Sequence, residues 1–138
     1  MSNDRAWLLN DIEHSILNST WDGFDILAEG VLFSWGYNAQ GQLGDGTISS
    51  KSSPVHVPGT EWNSNIASGT YHTAAIKNDG TLWTWGNNGS GELGDGTIQN
   101  KSSPIQIPGT SWSKISCGYT HTAAIKNDGT LWVWGYNN

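Results

Sequence analysis

The chain has 138 residues, a formal net charge of -6, 13% charged side chains and nine tryptophans. That length gives room for one ordinary domain with a sizeable core, and nine large aromatic side chains at regular spacing argue against disorder. No basic patch is present to neutralise phosphates, which argues against direct nucleic-acid binding.

The charge is unevenly placed. Asp4, Asp11, Glu13, Asp22, Asp25 and Glu29 stand against Arg5 alone, whereas the rest of the chain balances six acids with five lysines. The acidic segment reads as a solvated face. Abundant Gly, Asn, Ser and Thr suit short strands joined by tight turns better than helices. Cys117 is the single cysteine, so no intrachain disulfide can form. It takes the place that Ser68 holds in an earlier copy of the same text, and reads as a small buried filler, not a nucleophile. The N-terminus lacks a basic region followed by a long apolar run, and no apolar run reaches membrane-spanning length. The expectation is a cytoplasmic or virion-associated protein that does not insert into membranes. The glycosylation sequons at Asn18, Asn88 and Asn100 are expected chance matches in an Asn/Ser-rich chain.

In chain order, residues 1–20 are expected to form an N-terminal cap. Within it, residues 4–18 predict one amphipathic α-helix, started by Asn3 or Asp4, with Leu8, Leu9, Ile12, Ile16 and Leu17 on one stripe. His14 reads as a solvated side chain. Residues 21–30, WDGFDILAEG, align without a gap on YHTAAIKNDG at 71–80 and read as the degenerate end of a repeat. Two full copies follow at 31–80 and 81–129, and 130–138 begins another, so Trp35, Trp85 and Trp134 mark one position. A period of roughly 50 residues belongs to solenoids, propellers and arrays.

Each full copy contains four strand-like runs. In the second copy these are Leu82–Trp85, Ser103–Ile107, Trp112–Cys117 and His121–Lys126, with Asn127-Asp128-Gly129 as a hairpin turn. Four antiparallel strands per repeat describe a propeller blade. The predicted fold is all-β: a partial β-propeller of about two four-stranded blades with flanking partial repeats, behind the N-terminal α-helix.

The recurring signature is G-x-x-H-T-x-A-I, then N-D-G-x-L-W-x-W-G-x-N, then G-x-L-G-D-G-T and a later S-P. It occurs from Gly69 to Gly96 and again from Gly118 to Asn137. This text resembles the regulator of chromosome condensation repeat over residues 21–138. Kelch repeats would show paired glycines and another aromatic spacing, and WD repeats would need their own dipeptide. The resemblance implies a seven-bladed ring closed by sharing strands between first and last blades. A ring of even four such blades needs roughly 200 residues, so the chain is expected to complete its ring with other chains. A homo-oligomer or a subunit of a larger assembly follows, with Leu131, Trp132 and Trp134 as the assembly edge.

The motifs offer little chemistry. Gly41–Thr47 and Gly91–Thr97 lack the Lys-Ser/Thr and helix of a phosphate loop and the ligand pattern of a calcium loop, so Asp45 and Asp95 should bond local amides. His72 and His121 recur without a carboxylate or Cys cluster and without a distinctive nucleophile, and read as structural. The repeated tryptophans and Phe33 read as packing between blades, leaving Trp7 and Trp21 as candidates for docking. No catalytic, cofactor or metal residue is expected, and the chain reads as non-enzymatic.

Family members include a guanine-nucleotide exchange factor for a small nuclear GTPase, a plant ultraviolet-B photoreceptor and an inhibitor of β-lactamases. The photoreceptor's Gly-Trp-Arg-His-Thr motif corresponds to Gly69–Thr73 and Gly118–Thr122, where Trp and Arg are both missing. Ultraviolet sensing is therefore not expected. The reading is a protein-interaction or structural assembly module, with a virion or surface-assembly role as one expectation, because similar repeats occur in bacterial proteins and in viruses of bacteria. The alternative is a regulatory module acting on a small GTPase or inhibiting an enzyme. Tyr37, Asn38, Gln40, Gln42, Tyr71, Asn87, Asn88, Glu92 and Tyr119 are the candidate protein-binding residues, because they differ between copies or are polar at loop positions.

Overall fold

A computed structural model describes residues 30–138. The expected helix, His14, Trp7, Trp21 and the degenerate repeat up to Glu29 lie outside the described residues. Among the described residues nine strands follow one another: β1 (Leu32–Gly36), β2 (Lys51–Val57), β3 (Trp62–Ser68), β4 (His72–Lys77), β5 (Leu82–Gly86), β6 (Lys101–Ile107), β7 (Trp112–Cys117), β8 (His121–Lys126) and β9 (Leu131–Gly135). Every pairing is antiparallel. The strands form a two-stranded sheet β1-β2, a four-stranded sheet β3-β4-β5-β6 and a three-stranded sheet β7-β8-β9. This is the propeller-blade arrangement expected from the repeats.

The sheets run out of phase with the repeated text. Thr81–Gly129 gives β5 and β6 to one sheet and β7 and β8 to the next. The break falls at the Pro-Gly-Thr links 58–60 and 108–110, where Gly59 and Gly109 take positive φ and the following Glu61 and Ser111 are left-handed at φ 66°. Proline gives no ladder hydrogen bond and the left-handed residue turns the chain away, so β3 and β7 start new sheets instead of closing hairpins. Trp112 N donates to Gly80 O at 3.0 Å, tying the start of β7 to the β4–β5 turn of the preceding sheet.

That turn is built locally. Asp79 Oδ1 accepts from the Thr81 amide at 3.0 Å and from the Thr81 hydroxyl at 2.6 Å, and Gly80 supplies the positive φ. Asp128, Gly129 and Thr130 repeat it.

Alternation along the strands gives each sheet two apolar faces. One cluster joins Val57 and Leu32 of the first sheet to Trp62, Ala75, Trp83 and Trp85 of the second. The other joins Ala74, Ile76, Leu82, Ile105 and Ile107 of the second sheet to Trp112, Ile115, Cys117, Ala124 and Trp134 of the third. The aliphatic face of one sheet therefore meets the tryptophan face of the next, twice in the same way. Ala74 and Ala75 are fully buried, and their small side chains leave room for the rings opposite. Trp62 and Trp112 each bury an indole N–H without a hydrogen-bond partner. Such a group costs about 1–3 kcal/mol. Lys77 lies 4.8 Å from the Trp62 ring and Lys126 lies 4.7 Å from the Trp112 ring, which offsets part of that cost.

The loops after β1 and β5 are seated against the next sheet. A Cβ at Gly44 (φ +73°) would stand 2.6 Å from the Trp85 indole nitrogen, whereas at Gly46 (φ +84°) its nearest neighbour is Ser103 Oγ at 3.6 Å. Gly44→Ala is expected to cost about 3 kcal/mol through strain and collision, and Gly46→Ala about 1 kcal/mol through strain alone. Urea denaturation midpoints of the two variants check the difference; equal losses would contradict the close seating.

Candidate functional site: the loop cradles and the tyrosine row

Residues 36–50 and 86–100 form two equivalent loops, each organised by a buried asparagine. Asn38 Nδ2 donates to Thr47 O at 2.9 Å and Ser49 O at 3.1 Å, and its Oδ1 accepts from Leu43 N at 2.9 Å. Asn88 makes the matching bonds to Thr97 O, Gln99 O and Leu93 N. Asp45 and Asp95 accept from the Thr47 and Thr97 amides at 2.9 Å and lie near Lys51 and Lys101 at 3.5 and 3.7 Å. Against the desolvation of partial burial, the Thr47 bonds, Lys51 and Asn38 hold Asp45 below the ordinary 3.8. The same set, centred on Thr97, lowers Asp95. The sequence-level reading of these aspartates as turn residues holds.

Each loop then delivers one main-chain carbonyl across to the next sheet. Gln42 O accepts from Trp85 Nε1 and from the Thr73 hydroxyl, both at 2.9 Å. Glu92 O accepts from Trp134 Nε1 at 2.9 Å and from the Thr122 hydroxyl at 2.8 Å. Because Thr122 spends its proton on Glu92 O, its oxygen accepts from His72 Nε2 at 2.9 Å. His72 is thus a neutral, buried bridge between two sheets, which fits its structural reading. Desolvation lowers its pKa from 6.5, His121 adds to the lowering and Glu92 opposes it. Burial also pushes the Cys117 thiol up to about 11, and its Sγ points to Ala67 O at 3.6 Å. A thiol so placed is a filler and a poor nucleophile.

The candidate protein-binding residues divide by burial. Asn38, Asn88 and Glu92 are buried, with Glu92 bonded to Asn87 Nδ2 at 2.7 Å and to Ser90 N at 2.8 Å. These three shape the loops and are corrected out of the contact surface, since polar type alone does not separate a loop organiser from a loop contact. Gln40, Gln42 and Asn87 are half-buried; Gln40 bonds Asn100 across the two loops at 2.7 Å. Tyr37, Tyr71 and Tyr119 are 59%, 38% and 66% exposed.

The fold brings these three tyrosines together. The Tyr37 and Tyr71 rings lie 6.2 Å apart and the Tyr71 and Tyr119 rings 6.4 Å apart, the second pair edge-on. They do not occupy one repeat position. Tyr37 follows the Trp-Gly of β1, Tyr71 is the third residue of Gly69-Thr70-Tyr71-His72, and Tyr119 is the second of Gly118-Tyr119-Thr120-His121. Beside the row lies an open groove of about 420 Å³ with Trp35, Tyr37, Gln42, Ile66 and His72 among its walls. At the other end of the sheets, Leu131 and Trp132 are exposed while Trp134 is held half-buried by Glu92 O. β9 is an edge strand, paired only with β8. Among the described residues no three His, Cys, Asp or Glu converge as a metal-binding set, and no helix is long and apolar enough to cross a membrane.

Sheets of this topology, stacked face on face by a repeated Trp-to-carbonyl bond, define a propeller-repeat protein. The model of the regulator of chromosome condensation (RCC1) repeat matches residues 29–76 and 79–125, and a second RCC1 repeat model matches 64–92. The chain belongs to the RCC1 repeat family. Its fold is similar to human WBSCR16, with a TM-score of 0.71 and 28% identity over 79% of this chain. It is also similar to yeast RCC1 (Prp20) solved with Kap60, at 0.67 and 22% over 77%, and to Prp20p of Saccharomyces cerevisiae, at 0.66 and 24% over 78%. The chain spans 29%, 28% and 29% of those three chains. No curated protein matches the chain as a relative.

The buried His72 sets a pH dependence. Its folded pKa lies below its unfolded 6.5, so the unfolded chain takes up the proton first. Stability is unaffected by this group above that value and falls as pH drops from it toward the lowered one. Between about pH 7.5 and 5, His72→Gln is expected to show a shallower fall in urea midpoint than the native chain, although it starts lower. Parallel pH curves would count against the buried neutral imidazole.

Proposed function

We propose that this chain is a non-enzymatic protein-interaction module that recruits a protein partner through its tyrosine row and completes a propeller ring with other chains. The observation that carries the reading is the convergence of Tyr37, Tyr71 and Tyr119 from three non-equivalent repeat positions onto one exposed row. A blade needs its tryptophans, His and Asp-Gly turns in every copy. It does not need tyrosines at these places: Tyr37 recurs as Tyr136 but is Asn87 in the middle copy, and Tyr71 and Tyr119 have threonine twins, Thr120 and Thr70. Tyrosine is suited to such a surface because it offers a large apolar body and a polar tip at low entropic cost.

Among the described residues, His72 is spent on Thr122 and Cys117 is held as a thiol, so neither serves as a base or nucleophile where it stands. Ring completion places the chain in a larger particle, for which a virion or surface assembly is one setting. The second reading is a regulatory module acting on a GTPase. It is favoured by one comparison, since Prp20p of Saccharomyces cerevisiae, which is similar in fold, has binding properties toward Gsp1p and histones.

Affinity capture from extract with the full chain, in parallel with a Tyr37→Ala/Tyr71→Ala/Tyr119→Ala variant, tests the proposal. Retained protein should fall at least about tenfold in the triple variant, because exposed aromatic anchors dominate binding energy. The melting temperature should change little, since all three rings are exposed. A retained GTPase favours the regulatory reading and retained coat or fibre proteins the assembly reading. Equal retention by the native and triple-variant chains would overturn the tyrosine surface.

A further inference from the structure

The three sheets stack by one rule, and the rule leaves two faces open among the described residues. At both internal seams an aliphatic face meets an aromatic one. Along β1, Leu32 and Ser34 turn toward the second sheet, while Phe33 and Trp35 turn away and are 52% and 60% exposed. Along β8 and β9, Ile125, Leu131 and Val133 are exposed on the side away from the second sheet. The first sheet therefore ends in an aromatic face and the third in an aliphatic face.

Each open residue has a twin inside the stack that shows what it is shaped to meet. Trp35 repeats Trp85, which is 1% exposed against the aliphatic cluster of Val57 and Leu32. Leu131 repeats Leu82, which is 0% exposed, and Ile125 repeats Ile76, at 1%. Both twins sit against Trp112 and Trp134. The Trp35 indole nitrogen, whose twins bond Gln42 O and Glu92 O, receives no such loop carbonyl among the described residues. A shallow groove of about 350 Å³ lies on the aliphatic face between Lys114, Ser116, Ala123, Ile125 and Leu131. Lys114 borders it, and its alkyl stem can lie on apolar surface with the ammonium in water.

We propose that the occupant of these faces is a second copy of this chain, seated head to tail, with Ile125, Leu131 and Val133 of one copy packed on Phe33 and Trp35 of the next. This rests on the ring-completion reading and adds its partner and its faces. A second copy is the occupant because the seam it makes is the one the chain already makes twice within itself. The interface is heterologous, since its two sides differ. It closes into a ring when the rotation between copies permits and otherwise grows as an open array. Three sheets from each of two copies make six, within the roughly four to eight blades of closed propellers. The sheets that meet have two and three strands, so the seam is smaller than the internal ones and its occupancy rises with protein concentration.

Sedimentation velocity of the full chain across a hundredfold concentration range tests this, with two variants: Leu131→Glu/Val133→Glu, which spoils the aliphatic face, and Trp35→Glu, which spoils the aromatic one. All three substituted side chains are exposed, and circular dichroism checks that both variants fold. The native chain should move from one-chain mass toward two or more, and each variant alone should stay at one-chain mass. An equimolar mixture of the two variants should recover a 1:1 pair, because each still carries the face that the other has lost. A native chain that stays monomeric at every concentration overturns the proposal. A pair that survives Trp35→Glu, or a mixture that stays monomeric, overturns it as well. Retention of partners through the tyrosine row, measured on the same preparations, is independent of these outcomes. A monomer that still captures partners loses only the head-to-tail seam, whereas a head-to-tail oligomer that captures nothing loses only the tyrosine surface.

Discussion

Two main-chain carbonyls, Gln42 O and Glu92 O, hold the stack together. Each takes an indole N–H and a threonine hydroxyl from the following sheet, beside the apolar clusters and the His72–Thr122 bond that also cross the seams. A hydrogen bond contributes only about 1 kcal/mol net, but a buried donor left without a partner costs about 1–3 kcal/mol. The seam is therefore selective more than it is strong. A sheet shifted along its neighbour would keep much of its apolar contact and strand the tryptophan N–H. The rest of the loop serves that one carbonyl. Asn38 and Asn88 wind the chain into place, Asp45 and Asp95 fix its exit, and Gly44 and Gly94 let the backbone lie against the tryptophan ring.

Because each seam involves only neighbouring sheets, the molecule behaves as a one-dimensional stack whose stability grows with each interface. Two consequences follow. The central sheet, seamed on both sides, holds most of the fully buried side chains, including Ile76, Leu82 and Trp85. The outer sheets carry the same residue types with one face uncovered. Among the described residues, positions such as Trp85 and Leu82 are buried in the centre, whereas their twins Trp35 and Leu131 are exposed in the outer sheets.

Much of this was legible in the text. Alternation in Leu82–Gly86 and His121–Lys126, the Asp-Gly turns and the repeated Trp positions specified the strands, their antiparallel pairing and the face-to-face stacking. The frame of the blades was not legible. The text repeats with one period wherever the start is placed, so only the Pro-Gly-Thr links with left-handed Glu61 and Ser111 decide that a sheet begins at Trp62 or Trp112. Burial of Asn38, Asn88 and Glu92 was hidden for a related reason. An asparagine that organises a loop and one that faces solvent look alike in sequence, and the distinguishing partners, Leu43 N and Thr47 O, belong to a folded loop. The tyrosine row escaped as a row because its members have different repeat positions and meet only once the sheets are stacked.

That last point bears on where function resides in a repeat protein. A feature demanded by the blade must appear in every copy at the same place, so periodicity marks structure. His72 and His121, Trp85 and Trp134, and Asp45 and Asp95 all obey it, and each pair is accounted for by position within the repeat. Among the described residues no further sheet packs on His121, and it is exposed where His72 is buried against Thr122. Tyr71 and Tyr119 break the period, Tyr37 recurs only as Tyr136 and gives way to Asn87 in the middle copy, and the three still converge at ring separations of 6.2 and 6.4 Å. No shared repeat position accounts for the convergence of the three. In a chain whose text is otherwise nearly periodic, the residues that are aperiodic in sequence and contiguous in space are the ones free to carry information about a partner.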